Sequence, residues 1–134
     1  MTQQFNSLAG LKILLAEDES LIALDIAGML EGFGCEVIGP FAHVDEIAKV
    51  VDAEIDGALL DINLRGRQVF EVLPDLLARK VKVLLISGYD DATLFPVQFR
   101  SLPRLSKPIN EPRLLQACRQ YFLELPAAAS AQNG

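Results

Sequence analysis

Apolar and polar positions alternate in blocks along the chain. Four short apolar runs predict buried strands, at residues 11–16, 35–40, 55–60 and 81–87. Apolar residues at helical spacing predict helices at 21–33, 44–51, 69–78 and 111–125. A short apolar stretch at 102–105 predicts a fifth strand. This alternation is typical of an α/β fold, a doubly wound parallel sheet with helices on both faces. Five strands favour the flavodoxin-like order 2-1-3-4-5.

Two prolines disturb the helical pattern. Pro74 lies within the helix predicted at 69–78 and should kink or split it, because proline lacks the backbone N–H of a helix interior. Pro96 interrupts residues 88–101, where the apolar pattern is also poor. We therefore expect an irregular or short fourth helix in that segment.

The length of 134 residues fits one domain. We place it at residues 11–125, after an N-terminal extension at 1–10 and before a small, polar tail at 126–134 that we expect to be disordered. No apolar run approaches the roughly 20 residues of a membrane span. The first ten residues lack the basic and apolar blocks of a signal peptide. We expect a cytoplasmic protein with no membrane partner.

Charge and cysteine content narrow the function classes. The net charge of −6 disfavours nucleic acid as a partner. Residues 1–56 carry eleven acids and two bases, whereas residues 57–134 carry seven acids and ten bases. The basic excess is either a solvated face or a docking surface for a protein. Cys35 and Cys118 fit no metal or redox spacing, so we expect two free core thiols.

Polar side chains follow the predicted strands where each one ends. They are Glu17, Asp18 and Glu19 after the first strand, Asp61 and Asn63 after the third, Ser87 after the fourth, and Lys107 after the fifth. The carboxyl ends of parallel strands meet at one edge of the sheet. Clustered carboxylates repel unless a cation joins them, and Mg²⁺ prefers such oxygen ligands. A hydroxyl and a lysine beside them suit a phosphoryl group, and an aspartate can be its acceptor. These residues predict metal-assisted phosphoryl transfer onto Asp61.

Four stretches of the chain, in this order, carry a family resemblance: "LLAEDE", "ALLDINL", "LLISGY" and "LSKPI". Over residues 11–124 the chain resembles the response-regulator receiver domains of two-component signalling. The resemblance implies that Asp61 is the phosphoacceptor. It also implies that Mg²⁺ is held by Asp18, Asp61 and the backbone carbonyl of Asn63, and by Glu17 through water.

The same resemblance assigns roles near the fourth and fifth strands. It implies that Ser87 and Lys107 bind the phosphoryl group, and that the bond preceding Pro108 is cis. Asn63 and Tyr89 would flank the route of attacking water and tune the lifetime of the phosphoryl group.

One family feature is missing, because Arg104 occupies the position where many receivers carry a switching aromatic residue. Gly88-Tyr89 and the run P-x-L-x-K-P at 103–108 resemble an alphaproteobacterial subgroup named after its Phe-Ala-Thr-Gly-type motif. That resemblance implies histidine kinases as partners and a switch without the usual aromatic rotation.

We predict a single-domain response regulator that accepts a phosphoryl group on Asp61 from a histidine kinase. It would be a switch of protein contacts rather than an enzyme, catalysing only its own phosphorylation and dephosphorylation. Further partners would be a phosphotransfer protein or a downstream regulator. We also expect Ser87 and Lys107 to move on phosphorylation and to reorganise residues 88–106. The alternative is a pseudo-receiver or adaptor that binds a partner without phosphorylation.

Overall fold

The computed structural model describes residues 7–88 and 95–123. The strands within these ranges are β1 (Lys12–Ala16), β2 (Glu36–Phe41), β3 (Gly57–Asp61), β4 (Asn63–Leu64), β5 (Arg67–Gln68), β6 (Lys82–Ser87) and β7 (Arg104–Ser106). The α-helices are α1 (Ser20–Gly32), α2 (Val44–Val50), α3 (Leu73–Ala78) and α4 (Glu111–Phe122). Short 3₁₀ helices span Val69–Val72 and Val97–Phe99.

Five strands form one parallel sheet in the order β2-β1-β3-β6-β7. The strands β6 and β7 are the fourth and fifth strands of this sheet, since β4 and β5 pair separately. The observed order therefore confirms the predicted flavodoxin-like order 2-1-3-4-5. The central strand is β3, whose Leu59 pairs with Leu15 of β1 on one side and Leu84 of β6 on the other. Because β3 has neighbours on both sides and helices on both faces, all five of its residues are buried, and a continuous apolar run is required there.

The sheet separates two hydrophobic cores, because successive side chains of a strand point to opposite faces. One core joins Leu14 and Leu60 to residues of α2 and α3 such as Ile47 and Leu73. The other core joins β1, β3 and β6 to α1 and α4. Its members include Ile13, Leu15, Leu59, Leu84, Ile26, Leu30, Leu114 and Phe122.

Gly57 lies directly against the C-terminal end of α4. A Cβ added at Gly57 would lie 2.7 Å from Cδ1 of Phe122. The first residue of β3 therefore lacks a side chain so that the aromatic ring at the end of α4 can cover it. This close fit places the C-terminal end of α4 in the core.

The disturbance predicted around Pro74 is present. The segment 69–78 splits into the 3₁₀ helix Val69–Val72 and the helix α3, with Pro74 in the first turn of α3, where its missing N–H costs nothing. Between β6 and β7, the described residues form the short helix Val97–Phe99. Residues 89–94 of the segment predicted to be irregular lie outside the described residues.

Several predicted boundaries were wrong by a few residues. The strand β2 continues through Pro40 to Phe41, and β7 begins at Arg104 instead of residue 102. Helix α4 ends at Phe122, where the prediction ran to residue 125. Residues 1–6 of the N-terminal extension and the tail at 126–134 lie outside the described ranges.

The antiparallel hairpin β4–β5 was not predicted. It pairs Asn63 with Gln68 and Leu64 with Arg67, directly after Asp61. Its tip is formed by Arg65 and Gly66, with φ of 54° and 83°. Two consecutive residues of positive φ fit the tight turns that close two-residue hairpin loops. This hairpin follows the carboxyl end of the central strand after one residue, Ile62.

Both cysteines are free and buried, as the sequence predicts. Burial raises the pKa of the Cys35 thiol to about 11 and that of the Cys118 thiol to about 12. No helix in residues 7–88 and 95–123 has the length and apolar character needed to cross a bilayer.

Candidate functional site

Asp61 is the last residue of β3 and is only 3% exposed. Its Oδ2 accepts a hydrogen bond from Nζ of Lys107 at 2.7 Å, and its Oδ1 accepts one from the backbone N–H of Asn63 at 3.2 Å. The apolar run that leads to Asp61 thus ends in a charge that is paired with an ammonium group. The carboxyl end of β3 supplies the carboxylate of Asp61, and the residue after β7 supplies the ammonium of Lys107.

Two further carboxylates adjoin Asp61. Glu17 follows β1 and is 2% exposed, and Asp18 is partly buried. Carboxylate oxygens of Glu17, Asp18 and Asp61 all lie within 4.8 Å of one another. Three of the four predicted strand-end acids therefore form one cluster. The fourth, Glu19, is exposed, and only its backbone N–H takes part, by donating a hydrogen bond to Glu17 at 3.0 Å.

Glu17 carries an incompletely satisfied oxygen. Its Oε1 is buried and makes no hydrogen bond within the described part of the chain. The nearest cation is Nζ of Lys107, 3.5 Å away, which is an ion-pair distance without hydrogen-bond geometry. Burial is the main cause that raises the pKa of Glu17 to about 7, and the charge of Asp61 adds to it. The hydrogen bond from Glu19 acts in the opposite direction and lowers this pKa.

Lys107 and Ser87 are joined through the backbone. Ser87 ends β6 and is 8% exposed, and its carbonyl accepts a hydrogen bond from the backbone N–H of Lys107 at 3.0 Å. Burial lowers the pKa of Lys107, but the hydrogen bond and charge of Asp61 and the charge of Glu17 outweigh it, so that the pKa is raised. Lys107 is therefore a charged ammonium at neutral pH.

The unpredicted hairpin β4–β5 contributes to the cluster. The backbone N–H of Arg65, at its tip, donates to Oδ2 of Asp18 at 2.9 Å. Arg67 in its second strand contacts Asp45 at the start of α2 and Glu71, which holds the hairpin against its neighbours. The sequence signal was Gly66, a turn residue three positions after Asn63. A backbone donor, however, leaves no signature in residue type.

The remaining predicted site residues have separate places. The peptide bond between Lys107 and Pro108 is cis, and so is the bond between Gly39 and Pro40, which was not predicted. Asn63 is exposed, at the start of the hairpin. Tyr89 lies outside the described residues.

Arg104 is exposed and stacks on an aromatic ring. Its guanidinium carbon lies 4.3 Å from the ring centroid of Phe95, a cation–π distance. Phe95 packs edge-on against Phe70 at 5.3 Å, and Phe70 stacks with Phe99 at 5.8 Å. Arg104 thus packs on a cluster of three aromatic residues, Phe70, Phe95 and Phe99. This cluster belongs to the hydrophobic core that also contains the buried residues of α3.

The acidic cluster suits a hard divalent cation. Its three side chains offer oxygen atoms, and Glu17 Oε1 is a buried oxygen that makes no hydrogen bond to the described residues. Carboxylate oxygens are the ligands that Mg²⁺ prefers, and the ion also keeps several waters. The donor set therefore fits the predicted Mg²⁺.

Fold and site together define an α/β receiver-type domain. The solution structure of SdrG from Sphingomonas melonis Fr1 aligns with a TM-score of 0.69 and 34% identity, over 81% of this chain and 92% of SdrG. A solution structure of SdrG in its BeF₃-activated conformation aligns with a TM-score of 0.67. A response regulator receiver protein from Sinorhizobium medicae WSM419 shares the fold, with a TM-score of 0.69 and 24% identity over 85% of this chain and 95% of its own. The chain belongs to the response-regulator receiver domains of two-component signalling.

A curated relative supports the same membership. The phyllosphere-induced regulator PhyR of Methylorubrum extorquens is 36% identical over 87 residues, which are 62% of this chain and 33% of PhyR. The chain spans less than half the length of the curated relatives that it matches. No family model matches the chain.

Proposed function

We propose that the protein accepts a phosphoryl group on Asp61, in the presence of Mg²⁺, and thereby switches its contacts with other proteins. The observation that carries this proposal is the position of Asp61. It is a buried carboxylate, 2.7 Å from the ammonium of Lys107 and within 4.8 Å of Glu17 and Asp18. This geometry supports Asp61 as the nucleophile, Lys107 as the cation for phosphoryl oxygens, and the three carboxylates as metal ligands.

The chain's own groups have distinct tasks in this transfer. A carboxylate oxygen of Asp61 forms a bond to phosphorus, while the bond from phosphorus to the donor breaks and its electron pair leaves with the donor. The ammonium of Lys107 and the hydroxyl of Ser87 donate to the phosphoryl oxygens. Glu17, Asp18 and Asp61 would hold Mg²⁺, with the backbone carbonyl of Asn63 as a further ligand. When bound, the ion neutralises charge on the transferred group.

The switch follows from competition for Lys107. In the described state its ammonium contacts Asp61, and a phosphoryl group on Asp61 offers it oxygens of greater charge. Lys107 directly follows β7, which begins at Arg104. A shift of Lys107 therefore pulls on the strand whose first residue stacks on Phe95. We propose that this contact takes the place of the usual aromatic switch.

The proposed partners are a histidine kinase as donor and a phosphotransfer protein or downstream regulator as receiver of the signal, in the cytoplasm. SdrG is 34% identical to this chain and has a BeF₃-activated conformation. Beryllium fluoride is an analogue of a phosphoryl group. The likeness to SdrG supports a site of the same kind here. The protein would act as a switch that catalyses only its own phosphorylation and dephosphorylation.

The test is the intact mass of the protein after incubation with a small acyl-phosphate donor and Mg²⁺. We expect one added phosphoryl group on the wild type and on the control Asp75→Asn, which changes an exposed acid of α3. We expect none on Asp61→Asn. If the wild type stays unmodified and also fails to bind beryllium fluoride with Mg²⁺, the protein is an adaptor that works without phosphorylation.

A further inference from the structure

Arg113 lies in the first turn of α4, close to the loop that carries Lys107. Its Nη1 donates to two backbone carbonyls, that of Ser106 at 3.2 Å and that of Pro108 at 2.9 Å. These carbonyls belong to the residues on either side of Lys107. One guanidinium group therefore holds the chain just before and just after the lysine.

The helix end holds Arg113 itself in place. Asn110 caps α4, and its Oδ1 accepts a hydrogen bond from the backbone N–H of Arg113 at 3.0 Å. Arg113 is thus anchored in α4, and its side chain binds the loop between β7 and α4 at two carbonyls, those of Ser106 and Pro108. The backbone of this loop cannot move without breaking hydrogen bonds to a charged donor, which are stronger than neutral ones.

We infer that Arg113 is a positioning residue for phosphoryl binding, because it fixes the loop from which Lys107 reaches Asp61. This inference rests on the proposed function. Arg113 acts on the backbone of the loop, whereas Glu17, Asp18 and Asp61 are placed by β1 and β3. Loss of Arg113 should therefore weaken the binding of a phosphoryl analogue and leave the metal ligands undisturbed.

The test is calorimetric titration of the full chain with beryllium fluoride at a fixed Mg²⁺ concentration. We expect Arg113→Ala to weaken binding about fivefold, and Arg113→Lys to recover part of the loss. The Mg²⁺ dependence of the thermal midpoint should match that of the wild type. The matched control is Arg119→Ala, on the same helix, since Arg119 makes no hydrogen bond to this loop in the described structure.

A double variant separates positioning from general destabilisation. In a Lys107→Met background, Arg113→Ala should cause no further loss of beryllium fluoride affinity, because the group that Arg113 places is gone. An equal loss in both backgrounds, or an unchanged affinity in Arg113→Ala, would overturn the inference while leaving the proposed function intact. If the wild type does not bind the analogue, the proposed function fails, and the inference fails with it.

Discussion

The backbone N–H of Lys107 donates a hydrogen bond to the carbonyl of Ser87 at 3.0 Å. The two residues that would hold a phosphoryl group are therefore joined before any phosphoryl group is present. The two residues lie at the ends of adjacent strands, β6 and β7, whose last residues, Ser87 and Ser106, pair in register. A movement of the Lys107 backbone would strain or break this link, whereas a movement of its side chain alone would leave the link intact.

Removal of the Lys107 ammonium should destabilise the metal-free protein. Lys107→Met leaves the buried carboxylates of Asp61 and Glu17 without their cation, and we expect a loss of about 2 kcal/mol in the free energy of unfolding at pH 7.5. Urea unfolding in the presence of a chelator measures it. Lys12→Met, which breaks the exposed ion pair with Glu54, should cost less. Equal losses in the two variants would contradict the stabilising role of Lys107.

Glu17 should make the stability of the metal-free protein fall as pH rises. Its pKa is about 7 in the folded state and about 4.3 in an unfolded chain, so the folded state holds the proton more tightly. The stabilisation from this group is full below about pH 4 and is lost as pH rises through about 7, by roughly 3 kcal/mol in total. Urea midpoints at pH 5, 6, 7 and 8 with chelator should show this fall, and Glu17→Gln should reduce it. An unchanged slope in Glu17→Gln would show that another group is responsible.

Mg²⁺ should stabilise the folded protein by mass action. The proposed binding of Mg²⁺ would relieve the repulsion among the clustered carboxylates and would require the folded state, so the thermal midpoint should rise by about 2–6 °C at millimolar Mg²⁺. Differential scanning calorimetry measures the shift. Asp18→Asn should lose most of it, whereas Asp25→Asn, an exposed position on α1, should keep it. A full shift in Asp18→Asn would place the ion elsewhere.

Two glycine substitutions should have opposite effects on stability. Gly57→Ala puts a methyl group 2.7 Å from the ring of Phe122 and should cost about 1–3 kcal/mol. Gly28→Ala, within α1, would place its methyl group more than 4 Å from every atom of the described residues outside its own helix backbone, and should stabilise by about 0.5–1 kcal/mol. Chemical denaturation of the two variants measures both. Equal effects would mean that α4 does not pack on β3 as closely as described.

The sheet order was predictable because apolar periodicity reports burial, and strands that alternate with helices have few ways to pack. The cluster of Glu17, Asp18 and Asp61 was predictable for a related reason, since parallel strands bring their carboxyl ends to one edge. The hairpin at Asn63–Leu64 and Arg67–Gln68 was not predicted. Strands of two residues are too short to show an apolar pattern.

The finer contacts of the site have no signature in residue type. Arg113 binds backbone carbonyls, and Arg65 binds Asp18 through its own backbone, so neither partner can be recognised from a motif. The split at 69–78 was expected from Pro74. Its form was not, because apolar spacing over four residues does not distinguish a 3₁₀ helix from an α-helix.

The two native thiols leave the surface of the protein free for site-specific labelling. Cys35 and Cys118 are buried and their pKa values are about 11 and 12, so little thiolate is present near pH 7. Val97 is 75% exposed, in the short helix before β7. A Val97→Cys variant would thus take a fluorescent or spin probe at one position without replacement of either native cysteine. Movement near β7 can be followed in real time in a protein whose interior is unaltered.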